Sequence, residues 1–292
     1  MIFGYSGNFR KKNFFKVFHS LQSIVDYFPD SDLFVSSDFQ LANFIPGIKI
    51  PKDKILPFEE LNKKSDVIIS SGGDGTILST VRRQGSLLKP ILGIHIGNFG
   101  FLAQSTESDL EEKINKIIDR KYIIEKRMML EVSIPSKQKQ KKYNALNDVI
   151  IDQGESIRLL KCKVQVNGIY LNTYISDGLI FASPTGSTAY SLSSGGPIIS
   201  PDMKAIILTP ICPQSLSARP IIFSDSNAIT IEFESESEGM ILAVDGQVRI
   251  QIKKTDVINI QKSKNKANII QFNDSDYFST LRNKMNWLGN VK

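Results

Sequence analysis

Along the first hundred residues, two kinds of apolar pattern alternate. Met1–Tyr5, Leu33–Val35, Ser65–Ser70 (SDVIIS) and Ile91–Ile96 (ILGIHI) are short apolar runs that read as buried strands. Asn13–Phe28, Ile77–Gln84 and Glu107–Arg120 read as amphipathic helices between and after them. Such alternation predicts a parallel sheet covered on both faces. After about Tyr122 the texture changes. Short β-branched runs follow one another, separated by Gly, Asn and Pro: Met129–Ile134, Tyr143–Asp152, Leu159–Val166, Gly168–Ile175, Gly178–Ala182, Ala205–Thr209, Ile229–Phe233, Ile241–Val244, Val248–Ile252 and Asp256–Ile260. Asn167-Gly168 between two of them is a type I′ hairpin signal. One helix is expected near Thr188–Leu192, and the tail Tyr277–Leu288 is helical and apolar on one side. The pattern therefore predicts an α/β N-terminal domain (1–120), a mostly-β C-terminal domain built as layered sheets or a sandwich (121–272), and a helical tail (273–292) that packs back.

Length and composition agree with that division. A chain of 292 residues has a prior of two domains, and 41% hydrophobic with 23% charged residues excludes a disordered chain. The net charge of +6 suits anionic ligands such as nucleotides and is no nucleic-acid footprint. The densest basic run, Lys137–Lys142 (KQKQKK), is expected to be a solvated hairpin loop. Cys162 and Cys212 make no disulfide framework and have no metal-ligand spacing, so both are expected to be buried free thiols. The N-terminus lacks the order of a signal peptide, and no apolar run approaches the roughly 20 residues that span a bilayer. The expectation is a cytoplasmic protein that engages neither membrane nor nucleic acid.

Two stretches carry chemistry. Gly72-Gly73-Asp74-Gly75-Thr76 follows a buried strand and precedes a helix. Glycines there let backbone N–H groups approach an oxyanion, and the helix N-terminus adds partial positive charge. A carboxylate inside a phosphate cradle repels the ligand unless Asp74 holds a hydroxyl or takes its proton. Read alone, the same pentapeptide is equally a glycine-rich turn with an Asp N-cap. It matches neither a Walker A sequence nor a GxGxxG fingerprint. The second stretch, Ser176–Pro197 (SDGLIFASPTGSTAYSLSSGGP), sets Asp177 before closely spaced Ser, Thr and Tyr190 hydroxyls that can bond a base, a ribose and a carboxamide. Its plainer reading is an ordinary Ser/Thr/Gly loop with capping roles.

The first stretch resembles the GGDGT loop shared by NAD kinases and by diacylglycerol-, sphingosine- and phosphofructokinases. The second resembles the PTGSTAY segment of bacterial NAD kinases. GIHIGNFGFL (Gly93–Leu102), ALNDVI (Ala145–Ile150), TPICPQSLSARP (Thr209–Pro220), VDGQ (Val244–Gln247) and the tail YFSTLRNKMNWLG are similar to further segments of that family, in order, from about residue 65 onward. The resemblance implies phosphorylation of the adenosine-ribose 2′-hydroxyl of NAD by ATP, or by polyphosphate in its place, to give NADP. It implies Asp74 as proton acceptor, with Gly72, Gly73, Gly75 and Thr76 around the phosphates. Asn147, Asp148, Arg158, Asp177, Thr188, Ala189, Tyr190, Ser193 and Gln247 would bind NAD in a crevice between the domains, Asp177 from a neighbouring subunit of a homodimer or homotetramer. Mg²⁺ would arrive with ATP, held by no protein side chain.

Three positions depart from the family pattern. Asp148 stands where relatives carry Glu, Gln214 where they carry His, and Ile175 where some carry Lys. His19 and His95 have no partners of a triad or a metal site, and His95 reads as a structural residue of a buried strand-turn. Two rivals remain at this point. A lipid kinase of the same superfamily would need an apolar acceptor groove, which the hydroxyl-rich string from Thr185 to Ser193 does not offer. A dinucleotide-binding sensor without catalysis would have no use for Asp74.

Overall fold

The apolar runs of the first third form a parallel sheet. The computed structural model describes residues 1–11, 13–38, 50–97, 100–103, 105–135, 141–156, 158–234, 239–273 and 276–287. The chain divides into two units, Met1–Lys126 with Ala267–Lys292, and Arg127–Lys266. In the first, β1 (Ile2–Gly7), β2 (Asp32–Ser36), β3 (Ile55–Leu56), β4 (Val67–Gly72) and β5 (Ile91–His95) run parallel in the order β5-β4-β1-β2-β3. Four helices accompany them: α1 (Phe14–Asp26), α2 (Phe58–Lys64), α3 (Asp74–Gln84) and α4 (Leu110–Ile118). Phe3, Tyr5, Ile69 and Ile94 pack with Phe14, Phe18 and Leu21 of α1 and Ile114 of α4. Phe34 packs with Phe58 and Leu61 of α2. Every residue of β4 is buried, as expected of a parallel strand covered on both faces.

Some boundaries differ from expectation for local reasons. α4 begins at Leu110 rather than Glu107, because Thr106 and Asp109 bond each other. The Thr106 N–H donates to Asp109 Oδ1 at 2.6 Å and the Asp109 N–H to Thr106 Oγ1 at 3.3 Å, which holds the backbone in a turn. β3 and α2 had no readable period, since two and seven residues are too short to show one.

The second unit takes in most of β6 (Ile123–Ile134), then β7 (Lys141–Ala145), β8 (Asp148–Asp152), β9 (Leu160–Val166), β10 (Ile169–Ser176), β11 (Gly178–Ala182), β12 (Ala205–Ile211), β13 (Ile221–Ser224), β14 (Ile229–Phe233), β15 (Ile241–Val244), β16 (Val248–Gln251) and the first part of β17 (Ile258–Gln271). One layer has the order β13-β12-β11-β8-β15-β16. The other contains the run β10-β9-β14-β17, and β6 pairs β7. Val149, Ile151, Leu179, Phe181, Leu208 and Leu242 of the first layer share a core with Leu130, Val164, Ile231 and Ile258 of the second. The outer face of the first layer is covered as well. Ile150, Ile180, Ala182 and Ile207 pack there with Ile199, beside a 3₁₀ turn (Thr185–Thr188) and the short α5 (Tyr190–Ser193). That is why GLIFA of β11 is apolar throughout rather than alternating. Asn167 and Gly168 turn the β9–β10 hairpin with φ of 52° and 78°.

Four expectations are corrected here. Tyr143–Asp152 is two strands broken at Leu146-Asn147. β17 continues past Ile260 to Gln271 and ends in the first unit, where Ile269 pairs Ile91 of β5. Its middle was unreadable because the inward residues are Ser263 and Ala267, too small to show an apolar period. Lys141 and Lys142 belong to β7, with Lys142 2.9 Å from Glu131, while 137–140 lie outside the described residues. Cys162 is buried, its thiol pushed up to about 12 by that burial, but Cys212 is exposed, just past the end of β12. The tail forms α6 (Tyr277–Met285), capped by Asp276 accepting the Phe278 N–H at 2.9 Å. It docks through Leu281, with Tyr277 and Phe101 ring centroids 6.5 Å apart. Among the described residues no helix is long and apolar enough to cross a membrane.

Candidate functional site

Strand β4 delivers the chain into the glycine turn at its carboxyl end, where ligands bind in parallel α/β sheets. Gly73, not Asp74, caps the following helix, and its N–H donates to Thr76 Oγ1 at 3.3 Å. Asp74 is the first helical residue, a position that favours a negative charge. Its carboxylate reaches across to the segment after β5 instead of capping its own helix. Oδ2 accepts the Phe101 N–H at 2.8 Å, and Oδ1 accepts those of Leu102 at 3.0 Å and Ala103 at 3.3 Å. A carboxylate offers about four lone-pair sites, so three N–H donors fix its plane and leave capacity for one hydroxyl. Gly75 is exposed beside it. His95 ends β5 half-buried, its N–H donating to Ser105 O at 2.8 Å. It lines a cavity of about 400 Å³ with Asn13, Lys16, Thr106 and Glu107.

In the second unit the break between β7 and β8 brings the next candidates together. Asp245 Oδ2 accepts the Leu146 N–H at 3.0 Å, and Oδ1 accepts those of Asn147 at 2.7 Å and Asp148 at 3.1 Å. Ser183 holds the other side of the same segment. Its N–H donates to Asn147 O at 2.8 Å and its hydroxyl to Leu146 O. Gly186 lies so close to Asn147 O that a Cβ there would overlap it, which keeps the 185–188 turn against Asn147 only while this residue is glycine. Thr188 and Ala189 are half-buried, while Tyr190, Ser193 and Gln247 are exposed. Gln247 sits on the β15–β16 turn that also carries Asp245. Asn147 Oδ1 is buried without a hydrogen-bond partner. Asp148 is 4% exposed, and burial, followed by the neighbouring Asp245 charge, pushes its carboxyl up to about 7.

Two candidates lie elsewhere. Asp148 pairs Ala182 at one end of β8 and β11, whereas Asp152 pairs Gly178 at the other. Asp177 precedes Gly178, so it stands roughly 16 Å along the strand from Ala182. Gln153 Nε2 donates to its Oδ1 at 3.4 Å, and its N–H donates to Ile211 O at 3.0 Å. Ile175 and Gln214 belong to this end too, the Gln214 N–H donating to Ile175 O at 2.8 Å. Arg158 is exposed on the connection that leaves β8 at the same end, before β9 begins. Among the described residues no three His, Cys, Asp or Glu side chains converge to hold a metal ion. The sequence reading missed Gly100, the three N–H donors at 101–103, Ser183, Gly186 and Asp245. The strings GFL and VDGQ had marked two of these places but not their partners.

Both halves of the chain match family models, residues 49–122 the ATP-NAD kinase N-terminal domain and residues 146–272 the ATP-NAD kinase C-terminal domain. The chain is 42% identical over 227 residues to the NAD kinase of Caldanaerobacter subterraneus, covering 77% of this chain and 80% of that one. It is 41% identical over 230 residues to the NAD kinase of Bacteroides fragilis, covering 79% of each. Among solved structures, yeast NADH kinase complexed with NADH superposes with a TM-score of 0.86 at 24% identity, over 100% of this chain and 89% of that one. An NAD kinase from Archaeoglobus fulgidus in complex with ATP gives 0.75 at 24%, over 99% and 100%; both likenesses establish the fold. The family models and these relatives identify a kinase of the GGDGT-loop type, a phosphotransferase acting on an alcohol group. The chain belongs to the NAD kinase family, whose members use ATP to phosphorylate NAD to NADP. The lipid-kinase and sensor readings are not favoured, since the relatives matching both domains are NAD kinases.

Proposed function

We propose that Asp74 takes the proton from the adenosine-ribose 2′-hydroxyl of NAD as that oxygen attacks the γ-phosphorus of ATP. The observation that carries this reading is a carboxylate pinned by three N–H groups beside a glycine turn and a helix N-terminus. Phosphoryl transfer asks little covalent work of the protein. Positioning and charge stabilisation supply most of the acceleration, and a well-placed base adds about 10²–10⁴-fold. Gly72, Gly73, Gly75 and Thr76 form the turn that lies around the phosphates, at the N-terminus of α3. Asn147 and Asp148 take the adenosine half, with Thr188, Ala189, Tyr190, Ser193 and Gln247 around base and ribose. The divalent ion is Mg²⁺ and arrives on the triphosphate. When bound it would neutralise negative charge on the triphosphate.

The reading extends to a homodimer or homotetramer in the cytoplasm. The assembly is supported by the distance between Asp177 and Asp148, at opposite ends of the same strand pair. One chain's Asp177, together with Arg158, would serve the site of a second copy. The test of the base is NADP formation from NAD, ATP and Mg²⁺ by wild type and Asp74→Asn. Product from wild type and a kcat at least about 10²-fold lower in the variant, with NAD affinity within about an order of magnitude, is the expected result. Near-normal turnover by Asp74→Asn would refute the assignment.

A further inference from the structure

The turn between β15 and β16 is closed by backbone groups. Val244 pairs Val248, and the Gln247 N–H donates to Val244 O at 3.0 Å. Asp245 and Gly246 there have φ of 50° and 63°, which Asn or Gly would satisfy as well as Asp. A turn alone therefore does not call for a carboxylate that is 8% exposed, and burying one is costly unless it is fully bonded.

The carboxylate is used instead on the chain segment that carries Asn147 and Asp148. Its two oxygens accept the three consecutive N–H groups of Leu146, Asn147 and Asp148. The Asp245 N–H donates back to Asp148 O at 2.9 Å. Ser183 takes the two remaining carbonyls, those of Leu146 and Asn147. Every backbone polar group from the Leu146 N–H to the Asp148 C=O thus has a partner, and the segment cannot shift without breaking several bonds at once. The Asn147 amide oxygen, buried and unpartnered, is what this rigid frame presents.

We infer that Asp245 is a positioning residue for the dinucleotide, fixing the Leu146–Asp148 backbone so that the Asn147 and Asp148 side chains meet NAD without further ordering. The inference rests on the reading of Asn147 and Asp148 as NAD contacts. Preorganisation of this kind acts on binding, because the ordering entropy is spent in folding rather than at each encounter. Loss of the frame therefore acts first on the affinity for NAD.

The test compares steady-state kinetics and calorimetric NAD binding for wild type, Asp245→Asn and Asp245→Glu, with Gly246→Ala as a control that strains the same turn while keeping the carboxylate. The expected result is a rise of about tenfold or more in KM and Kd for NAD in both Asp245 variants, with kcat and KM for ATP within about threefold. Gly246→Ala is expected to lower Tm and leave KM for NAD within about threefold. NAD affinity within twofold of wild type in Asp245→Asn would overturn the inference. So would an equal rise in Gly246→Ala, or failure of both Asp245 variants to fold, since each makes the residue part of the hairpin rather than of the site. If wild type binds NAD without making NADP, the kinase reading fails, while the calorimetric comparison still decides the role of Asp245.

Discussion

Gly100 lies against the Asp74 carboxylate so closely that a Cβ added to it would overlap Oδ1 and sit 3.1 Å from Oδ2. The residues are 26 positions apart, in the segments that follow the neighbouring parallel strands β4 and β5. N–H groups of Phe101, Leu102 and Ala103 hold the carboxylate, and the missing Cβ at Gly100 leaves the room it occupies.

Gly100→Ala should consequently behave as a lesion of Asp74. The methyl group must push the carboxylate off its three donors, so the proposed base, chemically intact, would no longer point at the hydroxyl. A fall in kcat of about 10²-fold, with KM for NAD changed far less, is expected from misplacement alone. Steady-state NADP formation beside a thermal melt checks it. Wild-type kcat in a folded Gly100→Ala protein would mean that the orientation of Asp74 does not limit the reaction.

The Asp148–Asp245 pair makes stability depend on pH in a stated direction. Burial first and Asp245 second raise the Asp148 carboxyl from 3.8 to about 7 in the folded protein. Between those values the folded state keeps a proton that the unfolded chain has lost, so stability falls as pH rises from about 4 to about 7 and is level above. Asp148→Asn has no such proton to lose. Relative to wild type it should gain a few kcal/mol between pH 4.5 and pH 8, as an order of magnitude from the size of the shift. Urea unfolding of both proteins at the two pH values measures the difference. Parallel pH curves would show that Asp148 ionises normally in the folded state.

Ser191 and Thr209 test the covering of the outer sheet face. Their hydroxyls bond each other at 2.9 Å in a fully buried setting, tying α5 to β12. Thr209→Val keeps the shape and leaves Ser191 Oγ short of one partner, so a loss of about 1–3 kcal/mol is expected. Chemical denaturation reads it directly, and an unchanged midpoint would show that this bond contributes nothing net.

How much of this was legible beforehand differs between elements. GLIFA of β11 and VIIS of β4 are dense apolar runs of strand length, and each forms the expected strand. Gly72–Thr76 was legible because its chemistry is local: a turn, then a helix. The partners of Asp74 were not, since backbone N–H groups at 101–103 leave no mark in side-chain identity. Asp245 was hidden for the same reason, its donors being backbone groups nearly a hundred residues away. The continuation of β17 through Gln261–Gln271 was illegible because its inward positions at Ser263 and Ala267 face their neighbours with small side chains. Patterns report what a residue buries. They are silent on which backbone a carboxylate will reach.

The separation of Asp177 from Asp148 leads to a test that needs no structure of an assembly. If Asp177 completes the site of a neighbouring copy, Asp74→Asn and Asp177→Ala are defects in different chains of one site. Each homogeneous variant should be impaired. Co-expressed, random pairing places both natural residues together at one site in about half of the dimers, so roughly a quarter of wild-type activity should return. Differently tagged chains, purified through both tags, isolate the mixed species and should carry about half. The same logic holds pairwise within a tetramer. Activity of the mixed species no higher than the average of the two homogeneous variants would mean that Asp177 acts within its own chain, or that its place at the far end of β11 is structural. Full activity of Asp177→Ala by itself would remove the residue from the site altogether.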